Sequence, residues 1–146
     1  MIQPRLLTGG CHCGDVKIAF GTVKNPGDLI PRVCDCSFCS KHGASYISDP
    51  GGSLSIQAKG LDTLVEYRHG AEIARFLMCR SCGVLIAVVF DDDSGSYGTL
   101  NLRCLEDAVE FGPPQVVSPR TLSGDKKRRL WARLWTPGVK FSVTDS

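Results

Sequence analysis

Cys34-Asp35-Cys36-Ser37-Phe38-Cys39 is the stretch on which the reading of this chain turns. Three thiols in six residues is denser than packing requires, and it is the local density that one metal ion needs. The Cys-x-x-Cys turn lets two sulfurs converge, and the Cys two residues upstream bends back to the same point. Three protein ligands leave a fourth tetrahedral position free, and an open position separates a reactive or ligand-binding zinc from a structural one.

Four of the remaining five cysteines fall into two more short pairs, Cys11-His12-Cys13-Gly14 and Cys79-Arg80-Ser81-Cys82-Gly83. Each pair is followed at once by Gly, which reaches positive φ and brings backbone N–H groups close to the sulfurs. The simplest partition is a closed structural site of Cys11, Cys13, Cys79 and Cys82, and an open site of Cys34, Cys36 and Cys39, with two Zn2+ per chain. Cys104 is left over and reads as a small core residue. A competing arrangement has His42 as a fourth ligand in Cys-x-Cys-x-x-Cys-x-x-His, which would leave two structural zincs and no reaction centre. Cys104 is a second route to the same closure. Thiolate-only ligation is also shared by iron–sulfur clusters, which colour would reveal.

Working outward, 146 residues with 17 basic and 15 acidic side chains carry a net charge of +2. The balance excludes an argument for a polyanionic partner, so no nucleic acid is expected. The N-terminal stretch lacks the apolar run of a signal peptide, and no segment approaches the ~20 apolar residues of a membrane span. The expectation is a cytoplasmic protein with no membrane partner, in which eight cysteines are reduced ligands and not disulfides. A single domain is expected over residues 1–146, with a motif-bearing core at about 7–105 and a divergent C-terminal segment, 113–146, where the chain changes character.

The pattern around the motifs is that of strands. Val16, Ile18 and Phe20 alternate with more polar neighbours. Residues 29–33 deliver an extended chain into the central motif, and Asp49-Pro50-Gly51-Gly52 marks a turn. Residues 63–67 and 73–77 read as a strand pair, the second running into Cys79, while the apolar run 84–90 fits a strand buried on both faces. Asp91-Asp92-Asp93 reads as a solvated turn, since the ligand spacing of a calcium loop is missing. In the tail, Leu130/Leu134 and Trp131/Trp135 recur at i, i+4 behind Asp125 as a cap, which predicts a short docked helix whose cations form a solvated face. The class is mainly β, with several small coiled antiparallel sheets and metal sites at strand ends.

The order Gly-Gly-Cys-x-Cys-Gly, Cys-x-Cys-Ser-x-Cys, Cys-x-x-Cys-Gly resembles the glutathione-dependent formaldehyde-activating (GFA) and centromere-protein-V family, over roughly residues 7–105. The resemblance implies an Mss4-like fold and a carbon–sulfur lyase activity that combines glutathione with formaldehyde to S-hydroxymethylglutathione. It matches Cys11, Cys13, Cys79 and Cys82 to the family's structural zinc and Cys34, Cys36 and Cys39 to its catalytic zinc. Ser40-Lys41 departs from the frequent Arg-Arg. The family's tie to a centromere protein also leaves open a non-catalytic two-zinc module that recognises a protein or chromatin partner.

Three thiolates leave a bound zinc with a formal charge of −1, better suited to taking a fourth sulfur than to sharpening water. An incoming thiol, such as glutathione, loses its proton on coordination and becomes a nucleophile at neutral pH. Arg32, Lys41 and His42 flank the motif and are candidates for offsetting that charge or holding substrate carboxylates.

Overall fold

The computed structural model describes residues 4–70, 72–107 and 109–144. The mainly β expectation holds. Strands β1 (Arg5–Gly10), β2 (Val16–Thr22), β3 (Arg32–Cys34), β4 (Ser45–Ile47), β5 (Ser53–Ala58) and β6 (Leu64–Tyr67) occupy the first half, with helix α1 (Ser37–His42) between β3 and β4. They are followed by β7 (Arg75–Cys79), β8 (Leu85–Asp92), β9 (Gly95–Asn101), β10 (Gln115–Val117), helix α2 (Gly124–Leu134), β11 (Thr136–Pro137) and β12 (Lys140–Val143).

These strands make two sheets, one in the order β1-β2-β5-β12 and one in the order β10-β3-β4-β9-β8-β7-β6, with β11 on the edge of β9. Antiparallel pairing dominates. The exceptions are β10 on β3 and β12 on β5, both parallel, and both supplied by the segment after residue 113. The tail therefore adds one parallel strand to each sheet and, through β11, a short antiparallel one to the larger.

The period-2 residues of β2 behave as the alternation requires: Val16, Ile18 and Phe20 are buried and face Leu54 and Ile56 of β5 in a core shared with the larger sheet. Each such side chain contributes about 1.5–3 kcal/mol on leaving water. The apolar run in β8 is buried on both faces, and its residues divide between two cores. Ile86, Ala87 and Val89 join the core under the smaller sheet, while Leu85, Val88 and Phe90 join a second core with Cys39, Tyr46, Phe76 and Trp135. A β-bulge accounts for the break in alternation: Leu77 pairs with Ala87 and Met78 with Leu85, so Ile86 is the extra residue.

The acidic loop is shorter than its composition suggests. Strand β8 continues through Asp92, and the Asp92 carboxylate accepts bonds from the Ser94 N–H (2.8 Å) and hydroxyl (2.6 Å), closing a tight turn into β9. Asp91 pairs with Arg75 at 3.1 Å. At the Asp49 turn the buried carboxylate takes the Thr22 hydroxyl at 2.6 Å and the Gly51 N–H at 2.9 Å, while the Asp49 N–H donates to Thr136 Oγ1 at 3.0 Å. That network fastens one sheet to the other. The tail helix forms where the i, i+4 pattern puts it, but its cap is Ser123, whose hydroxyl accepts from the Lys126 N–H, and Asp125 lies inside the first turn. No described helix is long and apolar enough to cross a membrane.

Candidate metal centres

Cys11 and Cys13 lie in the turn from β1 to β2, and Cys79 and Cys82 bracket the turn from β7 to β8. The four Sγ atoms all lie within 4.8 Å of one another. Cys11 to Cys13 and Cys13 to Cys79 are each 3.6 Å. A zinc with four sulfurs at ~2.3 Å separates those sulfurs by about 3.8 Å, so the cluster has the size and donor set of a closed tetrahedral thiolate site. The Val16 N–H donates to Cys11 Sγ at 3.3 Å, which fixes one sulfur from the backbone. Gly14 at φ 89° and Gly83 at φ 79° follow the two pairs in the left-handed region, as the Cys-Gly sequence requires.

The second cluster grows out of a strand end and a helix start. Cys34 closes β3, Cys36 caps α1 with its Sγ accepting the Cys39 N–H at 3.3 Å, and Cys39 is buried one turn into the helix. Their sulfurs also lie within 4.8 Å of one another. Three thiolates fit a metal, and the Tyr46 hydroxyl, 3.1 Å from Cys39 Sγ, supplies a supporting hydrogen bond. All three cysteines line a cavity of about 890 Å³ between the outer face of the larger sheet and α2.

The thiols within each cluster titrate apart. Cys34 is pulled down to about 6, chiefly by the thiol of Cys39, while Cys39 is pushed up by its bond to Cys34 and by burial. Burial raises Tyr46, helped by the charge of Cys39. In the other cluster the Asp15 N–H pulls Cys13 down, but burial and hydrogen bonds with Cys79, Cys11 and Cys82 outweigh it and push Cys13 up to about 12. Burial raises Cys82, but the Val84 and Cys13 N–H groups and the neighbouring thiols prevail and bring it to about 6. Sulfurs this crowded cannot all ionise, and a divalent cation would take the place of the protons they share.

Arg32 lines the cavity, with its guanidinium donating to Ser48 Oγ at 2.9 Å. Lys41 and His42 do not line it. On a helix, residues two and three beyond Cys39 are turned by roughly 200° and 300° from it, so Lys41 points to solvent and the exposed His42 ring rests 4.5 Å from Phe38. Neither His42 nor Cys104 joins a cluster. Cys104 is buried beside the four-cysteine site, donates to the Leu85 carbonyl at 3.4 Å, and is pushed up to about 12 by burial and by the charges of Cys11 and Cys82.

Sequence reasoning missed the site's other walls. Tyr46 lies in β4, whose three residues are too few to show an alternation in the sequence, although it is only seven residues past Cys39. The tail contributes Lys127, Trp131 and Trp135 to the cavity, and the spacing of the tryptophans was the signal that could have found them. Asp35, between two of the thiols, is held by the Ser118 hydroxyl, by Arg120 at 3.3 Å and, through its own N–H, by the Val117 carbonyl at 3.0 Å. The tail thus grips the central motif directly.

A family described as "Glutathione-dependent formaldehyde-activating enzyme" matches residues 6–119. Among solved structures, a Rhodobacter sphaeroides protein is 28% identical, with a TM-score of 0.55, over 75% of this chain and 100% of its own. The family match spans all seven clustered cysteines, and the chain belongs to the glutathione-dependent formaldehyde-activating enzyme family.

Proposed function

We propose that the protein is a zinc-dependent carbon–sulfur lyase acting on a small thiol adduct, of the type that joins glutathione and formaldehyde in S-hydroxymethylglutathione. The observation that carries this reading is the three-thiol cluster opening into an 890 Å³ cavity. A module that only recognised a protein or chromatin would need a surface, not a chamber beside unsaturated ligands. In this reading Cys11, Cys13, Cys79 and Cys82 hold a structural zinc, and Cys34, Cys36 and Cys39 hold a second one. The chain acts as a single domain, with the segment after residue 113 as one wall of the chamber. Reduced thiolate ligands suit a cytoplasmic setting.

Zinc at the second site, when bound, lowers the pKa of a coordinated thiol and stabilises sulfur as a leaving group. The chain's own residues do the rest. Cys34, Cys36 and Cys39 fix where the sulfur sits, and Tyr46 holds Cys39 in place through its hydroxyl. Arg32 and Lys127 present cations to a substrate carboxylate, while α2 lines the side of the cavity that Lys127, Leu130, Trp131 and Leu134 share. The substrate thiolate forms a bond to the carbonyl carbon, the carbonyl electron pair moves to oxygen, and the oxygen takes up the proton that the thiol lost. The reverse reaction breaks the same C–S bond.

The test follows magnetisation exchange between ¹³C-formaldehyde hydrate and S-hydroxymethylglutathione by NMR, with added protein. Protein loaded with zinc should accelerate exchange, and Cys36→Ser should abolish the acceleration. An unchanged rate with metal-loaded wild type, for glutathione and for other small thiols, would remove the lyase reading.

A further inference from the structure

Helix α2 carries Lys127, Leu130, Trp131 and Leu134, with Trp135 at its end, a single face at i, i+3, i+4, i+7, i+8. In a docked terminal helix that face is ordinarily buried. Here Leu130, Trp131 and Leu134 are only half-buried and line the cavity, while Trp135, just past the helix, is buried in the second core. The rings of Trp131 and Trp135 stack at 4.5 Å, and Trp135 meets Phe90 edge-on at 5.6 Å, so this apolar wall is braced from behind. Ile73, Phe76 and Val88 line the cavity as well. The part of Leu130, Trp131 and Leu134 that the core leaves uncovered lines the cavity, beside three thiols.

The charges on the same lining are sparse. Arg32, Glu72, Arg120 and Lys127 are its charged side chains besides the thiols. Arg120 is engaged by Asp35, and Glu72 opposes any excess of negative charge. Arg32 is half-buried and, among the described residues, has no carboxylate within ion-pair distance; Ser48 is its polar partner. It stands two residues before Cys34 on β3, so the two side chains share a face, roughly 7 Å apart along the strand. A half-buried guanidinium with no anion is costly to keep. An anionic group of the ligand would complete it close to the sulfurs.

Building on the lyase reading, we propose that the cavity selects a thiol adduct whose organic group is apolar, aromatic or branched, and bears a carboxylate that Arg32 takes. The apolar group lies against Leu130, Trp131 and Leu134, and the sulfur reaches the cluster of Cys34, Cys36 and Cys39. Compact hydrophilic thiols would leave the α2 face wet and bind more weakly.

Isothermal titration calorimetry on the zinc-loaded protein tests this with four probes: 2-sulfanyl-3-phenylpropanoate, 3-sulfanylpropanoate, 2-phenylethanethiol and sulfur-free 3-phenylpropanoate. The aromatic sulfanyl acid should bind roughly tenfold or more tighter than 3-sulfanylpropanoate, the gain expected from burying a phenyl group. Leu130→Gln should erase most of that preference, and Arg32→Gln should bring the aromatic acid down to the affinity of 2-phenylethanethiol. Equal affinities of the two sulfanyl acids in the wild type overturn the proposal, whether or not the variants fold, and so does binding of none of the probes. A distinct result, 3-phenylpropanoate binding as tightly as its sulfanyl analogue, would uphold the cavity's selectivity and sink the lyase reading instead.

Discussion

Replacing Tyr46 by Phe asks whether the three-cysteine site depends on a hydrogen bond from outside its ligand set. Tyr46 is 4% exposed and packs in the same core as Phe76, Phe90 and Trp135. The variant keeps the ring and loses only the hydroxyl, so no cavity of consequence opens. What disappears is the 3.1 Å contact with Cys39 Sγ. A hydrogen bond to a charged acceptor contributes about 1.5–3 kcal/mol, or roughly 10- to 150-fold in an equilibrium constant. Loss of a partner that supports a ligand weakens metal binding by a similar ~10–100-fold. The four-cysteine site shares no partner with Tyr46 and should keep its affinity. In competition against a chromophoric chelator, zinc should leave the wild type in two steps. Tyr46→Phe should move the weaker step by one to two decades and leave the tighter one alone, with the metal-free melting temperature unchanged. Coincident release curves for wild type and variant would refute the reasoning, as would equal shifts of both steps.

Four further outcomes are expected. Cys79→Ser should lower the melting temperature sharply and cost metal, whereas Cys36→Ser should stay folded with about one zinc, measured by elemental analysis and calorimetry, because release from the four-ligand site is coupled to unfolding. His42→Ala should retain both metals; loss as complete as in Cys36→Ser would mean that His42 is a ligand after all. His69 is held below its ordinary value of 6.5 by burial and by Lys127, so the unfolded chain binds the proton more readily and stability falls as pH drops through about 6.5. The wild type should therefore lose more melting temperature than His69→Gln between about pH 7.5 and about pH 5.5, and parallel curves would contradict this. At Gly9 an added Cβ would sit 1.9 Å from the Cys104 carbonyl oxygen, so Gly9→Ala should cost roughly 1–3 kcal/mol or more in urea unfolding, against no change if the strand simply shifts.

The cysteine clusters were legible because spacing within each motif is local: Cys-x-Cys and Cys-x-x-Cys in turns bring their own sulfurs together, and the fold then sets Cys11 and Cys13 against Cys79 and Cys82. The buried run of β8 and the alternation in β2 were legible for the same reason, since both are written in consecutive residues. Helix α1 was not, because six residues are too few for a periodic signal and three of them, Ser37, Phe38 and Cys39, belong to the cysteine motif. The parallel pairing of β10 with β3 was equally hidden, as three residues carry it and the partners lie about 80 residues apart. The tail helix was visible in its i, i+4 pattern, but that pattern does not say whether the apolar face meets a core or a cavity. Lys41 and His42 were chosen for nearness in sequence to Cys39, and the helical turn that carries them past the cluster takes them off the cavity wall.

The parallel strands contributed by the tail impose an order on the life of the nascent chain. Every ligand of the four-cysteine site has been synthesised by residue 82, whereas Trp135 follows about fifty residues later, an interval of roughly 3–10 s at ribosomal rates. During that interval the thiols at 34, 36 and 39 lack the α2 wall, and until residue 120 they also lack the grip on Asp35 from Ser118 and Arg120. A metal captured there early would exchange with the cell's small thiols until β10 and α2 arrive. A chain interrupted before residue 115 would still own all four cysteines of the first cluster, and it would display its other three thiols bare where the finished protein sets them in the wall of a cavity.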